Sequence, residues 1–170
     1  APTYGQARQI CWSKLKEVAI ENDLISYINE TDLTIRLHNN SEISLRGADR
    51  SADSLRGVGL NFLVLDEFAD IPSDAWFSVL RPTLSDTKGS ALFCGTPRGY
   101  GNWAYDLFCK GNEDNEWTSF QFTTIDGGQV DQEEIDAAKN DLDERTFRQE
   151  YLATFETYAG AIYYNFDREE

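Results

Sequence analysis

The spacing of apolar residues predicts a helix and a β-hairpin in the first part of the chain. From about Gln6, apolar side chains recur at helical intervals with charged residues opposite them, which is typical of an amphipathic helix packed on a sheet. The segments 33–37 and 43–45 then alternate apolar and polar residues. The intervening Asn39-Asn40-Ser41 tolerates the positive φ of a tight turn, so we predict a hairpin.

Two short apolar runs follow. The first lies in the stretch Asn61–Glu67 and ends at two adjacent carboxylates, and the second is Ala91–Cys94. Runs of this length indicate strands that are buried on both faces. A helix is predicted after each run, the first near Trp76 and the second beginning at Asn102. Strand, helix, strand and helix in this order imply an α/β fold with a mostly parallel sheet flanked by helices, in which the hairpin is an insertion.

The last third of the chain predicts one more strand and two more helices. Trp117, Phe120 and Phe122 indicate the strand. Asp131 with Glu134 resembles a capping box, which predicts a helix to about residue 142, and a second helix is predicted over 144–152.

Composition limits the classes of protein that fit. The chain of 170 residues suits one domain with a substantial core. Its lack of Met together with the start Ala1-Pro2-Thr3 indicates a processed product or, in the favoured interpretation, a piece of a longer protein. No apolar run approaches the roughly 20 residues that a membrane helix needs, so no membrane contact is expected. The net charge of −15 argues against a broad nucleic-acid surface, because phosphate binding depends on Lys and Arg.

Cysteine and histidine are scarce. Cys11, Cys94 and Cys109 are odd in number and form no C-x-x-C pair, which favours buried thiols in a reducing compartment over disulfides or zinc. His38 is the only histidine and lies near the tip of the predicted hairpin, where we expect it to be solvated. Chemistry that requires a histidine base or a histidine-ligated metal is therefore not expected.

The first candidate site is the acid pair Asp66-Glu67 at the end of the first apolar run. Ligands of open α/β sheets bind just beyond the carboxyl ends of the strands. One acid there can hold Mg²⁺, directly or through its waters, and the next can take a proton from an attacking water. Alternatively, the strand simply emerges into solvent at two acids.

The second apolar run leads into Gly95-Thr96-Pro97. If the two strands are close in the sheet, Thr96 stands beside the acids, where its hydroxyl could hold the attacking water or sense the terminal phosphate. Gly95 leaves room for close approach, and Pro97 stiffens the turn. By itself this motif indicates an ordinary turn, but the joint occurrence of both clusters in this order favours a catalytic site.

The polar stretch between Gly47 and Gly59 carries basic residues just upstream of the acidic strand. Arg46, Arg50 and Arg56 are interleaved there with aspartates. Binding and catalytic residues often lie in ordered loops of this kind. The alternative is that each Arg forms a surface ion pair, which would contribute little to stability.

Together these motifs resemble the ATPase domain of the large terminase subunit of tailed bacteriophages. The resemblance rests on the segment 64–70, on Gly95-Thr96-Pro97-Arg98-Gly99, and on Asp-Ser-Leu-Arg-Gly at 53–57, and it covers most of the chain. It implies a P-loop NTPase-like fold of the RecA type, and ATP hydrolysis that drives DNA into an empty capsid.

The resemblance also implies residue roles. Asp66 would bind Mg²⁺ and contact the nucleotide, Glu67 would activate the water, and Thr96, preceded by Gly95, would belong to the motif that couples hydrolysis to movement. Arg56 matches an arginine that some members insert into the neighbouring subunit's site, although Arg50 or Arg46 could take that part. Arg98 is a weaker candidate, for phosphate or DNA, and a surface role is favoured for it.

The resemblance further assigns domains and partners. Residues 1–157 would be a partial ATPase domain with the acidic Walker B strand and the coupling motif, and residues 158–170 an exit segment towards a nuclease domain. The expected partners are ATP with Mg²⁺, double-stranded DNA, a portal protein, a small terminase subunit and further copies in a ring. The expected location is the host cytoplasm, on the procapsid.

One departure from the family pattern concerns the phosphate-binding loop. The chain contains no G-x-x-x-x-G-K-[ST], whose backbone N–H groups and Lys cradle phosphates. We therefore expect that the isolated chain neither binds ATP tightly nor hydrolyses it. Two other classes compete: a superfamily 2-type helicase or translocase, whose acid motif also begins Asp-Glu, and a non-catalytic adaptor that keeps the fold for binding a portal or capsid partner.

Overall fold

The computed structural model describes residues 1–48 and 55–157, and it divides the chain into two compact units, Ala1–Cys94 and Gly95–Glu170. The predicted exit segment 158–170, Arg50 and the beginning of the Asp53–Gly57 motif lie outside the described residues. Both units contain helices, and the strands that the structure describes belong to the first unit.

The first unit begins with a continuous helical run, α1, which packs on an antiparallel sheet. Its three segments are Tyr4–Gln6, Ala7–Trp12 and Ser13–Glu21. Thr3 begins it with a reciprocal cap, because its side chain accepts from the Gln6 N–H while the Gln6 side chain accepts from the Thr3 N–H.

The predicted hairpin is confirmed, and the structure adds a third strand to it. The sheet has the order β1 (Ile25–Asn29), β2 (Thr34–Leu37) and β3 (Glu42–Ser44), and all its pairs are antiparallel. Its inner face packs with α1 around four buried residues, Trp12, Ala19, Leu33 and Ile35. The indole N–H of Trp12 remains satisfied, since it donates to Glu30 at 2.6 Å.

The two apolar runs form the parallel part of the fold. β4 (Phe62–Asp66) pairs in parallel with β5 (Ser90–Cys94), and the register sets Phe62 opposite Ser90 and Asp66 opposite Cys94. The chain between them contains a 3₁₀ turn, Phe68–Asp70, and the helix α2, which comprises Ala75–Leu80 and Arg81–Thr83. The α/β class is thus confirmed with a small parallel sheet, while the hairpin belongs to a separate antiparallel one.

The prediction that these strands are buried on both faces is wrong. Side chains alternate along β4, so that Leu65 is 2% exposed while Phe62 and Val64 are 58% and 47% exposed. Leu92 on β5, opposite Val64, is 51% exposed. One face of the β4–β5 pair is therefore covered, by residues that include Trp76, and the other face is open in the part of the chain that the structure describes.

The second unit contains four helices among its described residues, 95–157. Its helices are α3 (Trp103–Lys110), α4 (Thr124–Gly127), α5 (Gln132–Asp141) and α6 (Glu144–Leu152). A small core joins α5 and α6 through Ile135, Ala138 and Phe147. Within residues 1–48 and 55–157, no helix combines the length and the apolar character that crossing a membrane requires.

Two details of the second unit correct the sequence analysis. Asp131 precedes α5, but its side chain makes no capping hydrogen bond, so the predicted capping box is absent. Residues 117–122 form neither a helix nor the predicted strand, and Phe120 and Phe122 stack on each other with ring centroids 6.3 Å apart while remaining 70% and 71% exposed.

Candidate active site

The acid pair lies where β4 ends in a sharp turn. Asp66 is the last residue of the strand, and Glu67 follows with φ 50° and ψ 44°, which is the left-handed region. The 3₁₀ turn Phe68–Asp70 comes next, and the Asp70 N–H donates to the Glu67 carbonyl at 3.0 Å. Both acidic side chains are half-buried. The turn thus places two carboxylates at the carboxyl end of a parallel strand, as predicted.

The left-handed backbone at Glu67 is unusual for a residue with a Cβ. Such conformations persist where the surrounding structure fixes them, and they occur often at functional sites. Replacing Glu67 by Val should therefore lower the free energy of unfolding by about 1–2 kcal/mol relative to Glu67→Gly, because a β-branched side chain is still less compatible with this region. Urea unfolding followed by tryptophan fluorescence would measure the difference.

The control for this prediction is Glu17, an exposed residue inside Ser13–Glu21. In an ordinary helix the Gly variant is the less stable of the two, so the order of Glu17→Gly and Glu17→Val should be reversed. The same order at both positions would contradict a special backbone at Glu67.

Aromatic side chains hold the acidic turn against β5. The Phe68 ring meets Phe93 edge to face with centroids 5.3 Å apart, and Trp76 of α2 meets the same Phe93 at 4.7 Å. Edge-to-face pairs at these distances are favourable beyond the area that they bury. Phe93 therefore connects the turn after β4, the helix α2 and the last part of β5.

The end of β5 brings a cysteine next to the first acid. The Cys94 Sγ lies 3.6 Å from the Asp66 Oδ1 and 3.7 Å from the Leu65 carbonyl oxygen. Partial burial and the nearby Asp66 carboxylate raise the pKa of the Cys94 thiol to about 11. Cys94 is exposed, so its prediction as a buried thiol is wrong. From sequence, the two runs are expected to end at one edge of a parallel sheet, but the contact itself depends on the strand register.

Asp66→Asn should lower the pKa of Cys94, because it removes the negative charge that disfavours the thiolate. At pH values below 11, the variant should then react faster with iodoacetamide, and the pH at which the rate is half-maximal should fall. The measurement needs a background in which Cys11 and Cys109 are replaced by Ser. Asp70→Asn, an exposed acid in the same turn, is the control, and an identical shift in both variants would contradict the assignment.

The Gly95-Thr96-Pro97 motif begins the second unit directly after β5. Gly95 has φ 153°, a conformation that side chains rarely adopt, so glycine is required here by the backbone. Gly95 is exposed and Thr96 is half-buried. Thr96 and the acid pair belong to different units, and the proximity of Thr96 to Asp66 and Glu67 stays a prediction.

The three candidate arginines that the structure describes occupy different places. Arg56 is exposed, and its Nη1 donates to the Ser78 carbonyl in α2 at 3.4 Å. The Arg46 guanidinium donates to the carbonyls of Asp32 and Leu45, so it is held at the antiparallel sheet. Arg98 is half-buried in the second unit.

An acid pair at the carboxyl end of a parallel strand, beside a second strand that runs into a glycine turn, is typical of α/β domains that bind a ligand at the edge of their sheet. The whole chain, residues 1–170, matches the family model of the terminase large subunit, T4likevirus-type, N-terminal. The protein belongs to this family.

Relatives and solved structures agree with this assignment. The terminase large subunit of Escherichia phage T5 is 36% identical over 172 residues, which cover 98% of this chain and 39% of that protein. The terminase large subunit of Thermus phage G20c is 33% identical over 142 residues, covering 75% of this chain and 29% of that protein. The chain thus spans well under half the length of these relatives.

Among solved structures, the large terminase ATPase domain of Thermus phage P74-26 superimposes with a TM-score of 0.72 at 28% identity, covering 91% of this chain and 74% of that one. The large terminase of a thermophilic bacteriophage in complex with ADP gives a TM-score of 0.77 at 19% identity, covering 98% of this chain and 42% of that one. At 19% identity, the similarity to this second structure supports the fold alone.

Proposed function

We propose that this chain is part of the ATPase motor of a phage terminase, which hydrolyses ATP to move double-stranded DNA into a procapsid. The observation that carries the proposal is the pairing of β4, which ends in Asp66 and Glu67, with β5, which leads into Gly95-Thr96-Pro97. Membership of the terminase large-subunit family supports it, as does the description of the P74-26 neighbour as an ATPase domain.

The acid pair fits a magnesium ion that is shared with a nucleotide. Mg²⁺ in such sites is held by one or two carboxylates, and phosphate oxygens and waters complete its shell. Within the described residues, no group of three or more His, Cys, Asp and Glu side chains is placed to hold a metal, so this part of the chain does not form a closed cage. Asp66, half-buried at the strand end, would be the ligand. A bound Mg²⁺ would neutralise charge on the phosphates.

Glu67 would act as the general base in this mechanism. Its carboxylate would take the proton of the attacking water, and the left-handed backbone would fix the direction in which that carboxylate leaves the strand. Thr96 would hold the same water or sense the terminal phosphate, and Gly95 would allow the nucleotide to approach the backbone.

Arg56 would stabilise transition-state charge in a neighbouring subunit. Such an arginine contributes about 10³–10⁵ in turnover. Arg56 is exposed and donates to the Ser78 carbonyl, and Arg46 is held by two carbonyls of the antiparallel sheet, so either arginine would have to leave these partners to reach a neighbouring subunit. This role requires a ring of identical subunits.

The remaining partners follow from the same proposal. The motor would act on double-stranded DNA in the host cytoplasm, together with a portal protein and a small terminase subunit. Since the net charge of this chain is −15, the DNA contact would be local or would come from other parts of the protein.

The test uses the gene product that contains this chain. It should hydrolyse ATP in the presence of Mg²⁺, and with procapsids it should protect DNA from nuclease. The isolated 170-residue chain, which has no G-x-x-x-x-G-K-[ST], should hydrolyse none. Duplex unwinding without protection would favour a helicase, and a gene product that binds portal or capsid but neither binds nor hydrolyses ATP would be an adaptor.

A further inference from the structure

The last residues of β4 and β5 lie side by side on one face of the parallel pair. Asp66 is directly opposite Cys94 in the register, two positions beyond the pair of Val64 with Leu92. Because successive side chains of a strand point to opposite faces, Asp66 and Cys94 share the open face with Val64 and Leu92. Phe93, in contrast, lies on the covered face with Trp76.

On this face the Cys94 thiol is within hydrogen-bonding distance of Asp66. The Sγ is 3.6 Å from Oδ1, which suits a sulfur donor, and the Leu65 carbonyl at 3.7 Å is the alternative acceptor. Within residues 1–48 and 55–157, the thiol is the side-chain donor that bonds to the Asp66 carboxylate, and no Lys or Arg side chain forms an ion pair with it.

We propose that Cys94 is a positioning residue, whose thiol restrains the Asp66 carboxylate for binding a divalent cation. The terminal torsion of an Asp side chain is intrinsically broad, so a carboxylate without a partner samples many orientations. A hydrogen bond to Oδ1 narrows that range and leaves Oδ2 for the ion or one of its waters. The inference rests on the proposed function, because it concerns the same acid.

A neutral donor suits this task better than a charged one. A Lys or Arg at position 94 would pair with the carboxylate and compete with the cation for it. The thiol donates a weak hydrogen bond and leaves the negative charge of Asp66 in place. Partners of this kind, which contact a metal ligand and not the metal, orient ligands in many metal sites.

The experiment measures Mn²⁺ binding to the gene product in the presence of ADP, with free Mn²⁺ followed by electron paramagnetic resonance. Cys94→Ala should raise the Kd for Mn²⁺ about tenfold, at the lower end of the effect of such partners. Cys94→Ser keeps a donor in place and should restore the Kd to within about threefold of the unchanged protein. Leu92→Ala, which shortens an exposed neighbour on the same strand face, is the matched control and should change nothing.

A second readout separates positioning from folding. In ATP hydrolysis, Cys94→Ala should need more Mg²⁺ for half-maximal rate but reach the normal kcat at saturating Mg²⁺. An unchanged Kd for Mn²⁺ in Cys94→Ala would overturn the proposal while leaving the ATPase assignment intact. Equal weakening by Cys94→Ala, Cys94→Ser and Leu92→Ala would also overturn it. If the unchanged protein bound no Mn²⁺ with ADP, the metal role of Asp66 would fail together with this inference.

Discussion

Replacing Glu67 by Gln should abolish ATP hydrolysis by the gene product and leave nucleotide binding intact. The amide keeps the shape of the side chain and can occupy the same left-handed backbone, but it cannot accept a proton from water. General-base catalysis contributes about 10²–10⁴ in rate, so turnover should fall by that factor. The affinity for ATP, measured by fluorescence of a labelled analogue, should stay within about threefold, since the charge that Mg²⁺ needs remains on Asp66.

The control is Glu21→Gln, an exposed acid at the end of α1 in the same unit, which should keep full turnover. Hydrolysis that survives in Glu67→Gln would remove this residue from the mechanism. Loss of nucleotide binding along with hydrolysis would instead assign Glu67 to the metal or the fold.

Gly89→Ala should lower the stability of the protein more than Ala at Gly5, Gly57 or Gly59. Gly89 lies immediately before β5, and a Cβ built there would come within 2.8 Å of the Asn61 carbonyl oxygen and 2.9 Å of the Leu84 Cδ2, and closer still to the Leu60 carbonyl oxygen. Backbone oxygens cannot move away as the tip of a side chain can. The starts of β4 and β5 would have to separate, which should cost about 2–3 kcal/mol or more.

Gly59→Ala is the matched control, since a Cβ there meets the Thr87 Cγ2 at an ordinary contact distance of 3.5 Å. Its free energy of unfolding should change by less than about 0.5 kcal/mol, as is usual for surface substitutions. Urea unfolding of both variants gives the comparison, and equal stabilities would show that the chain tolerates separation of the two strands at this point.

Much of the first unit could be predicted because its signals are local. The helical spacing in α1, the turn residues 39–41 and the two apolar runs each depend on a few neighbouring residues. Burial on both faces was predicted wrongly for β4, since an apolar run does not specify what covers it: Phe62 and Val64 are as apolar as Leu65 and yet exposed. The cover of a sheet depends on elements that are distant in sequence or belong to other segments.

In the candidate site, too, some features could be predicted from the sequence and others could not. The carboxylates at Asp66 and Glu67 could be placed at a strand end from sequence alone, because the apolar run ends at them. The contact between Cys94 and Asp66 could not be predicted, because it depends on the register of β4 with β5. The left-handed conformation of Glu67 could not be predicted either, because residues other than Gly, Asn and Asp rarely adopt it. The predicted strand at Trp117, Phe120 and Phe122 failed for a related reason, since aromatic residues favour a strand but supply no partner strand.

The connection between β4 and β5 has a consequence for the order of folding. The hairpin β2–β3 closes over residues 38–41, so its ladder can form early from a small loop. The parallel ladder requires closure over residues 67–89, and the entropy of that longer loop must be overcome before any hydrogen bond of the ladder forms. The ends of β4 and β5, where Asp66 meets Cys94, should therefore come together late, after the antiparallel sheet has provided a stable nucleus.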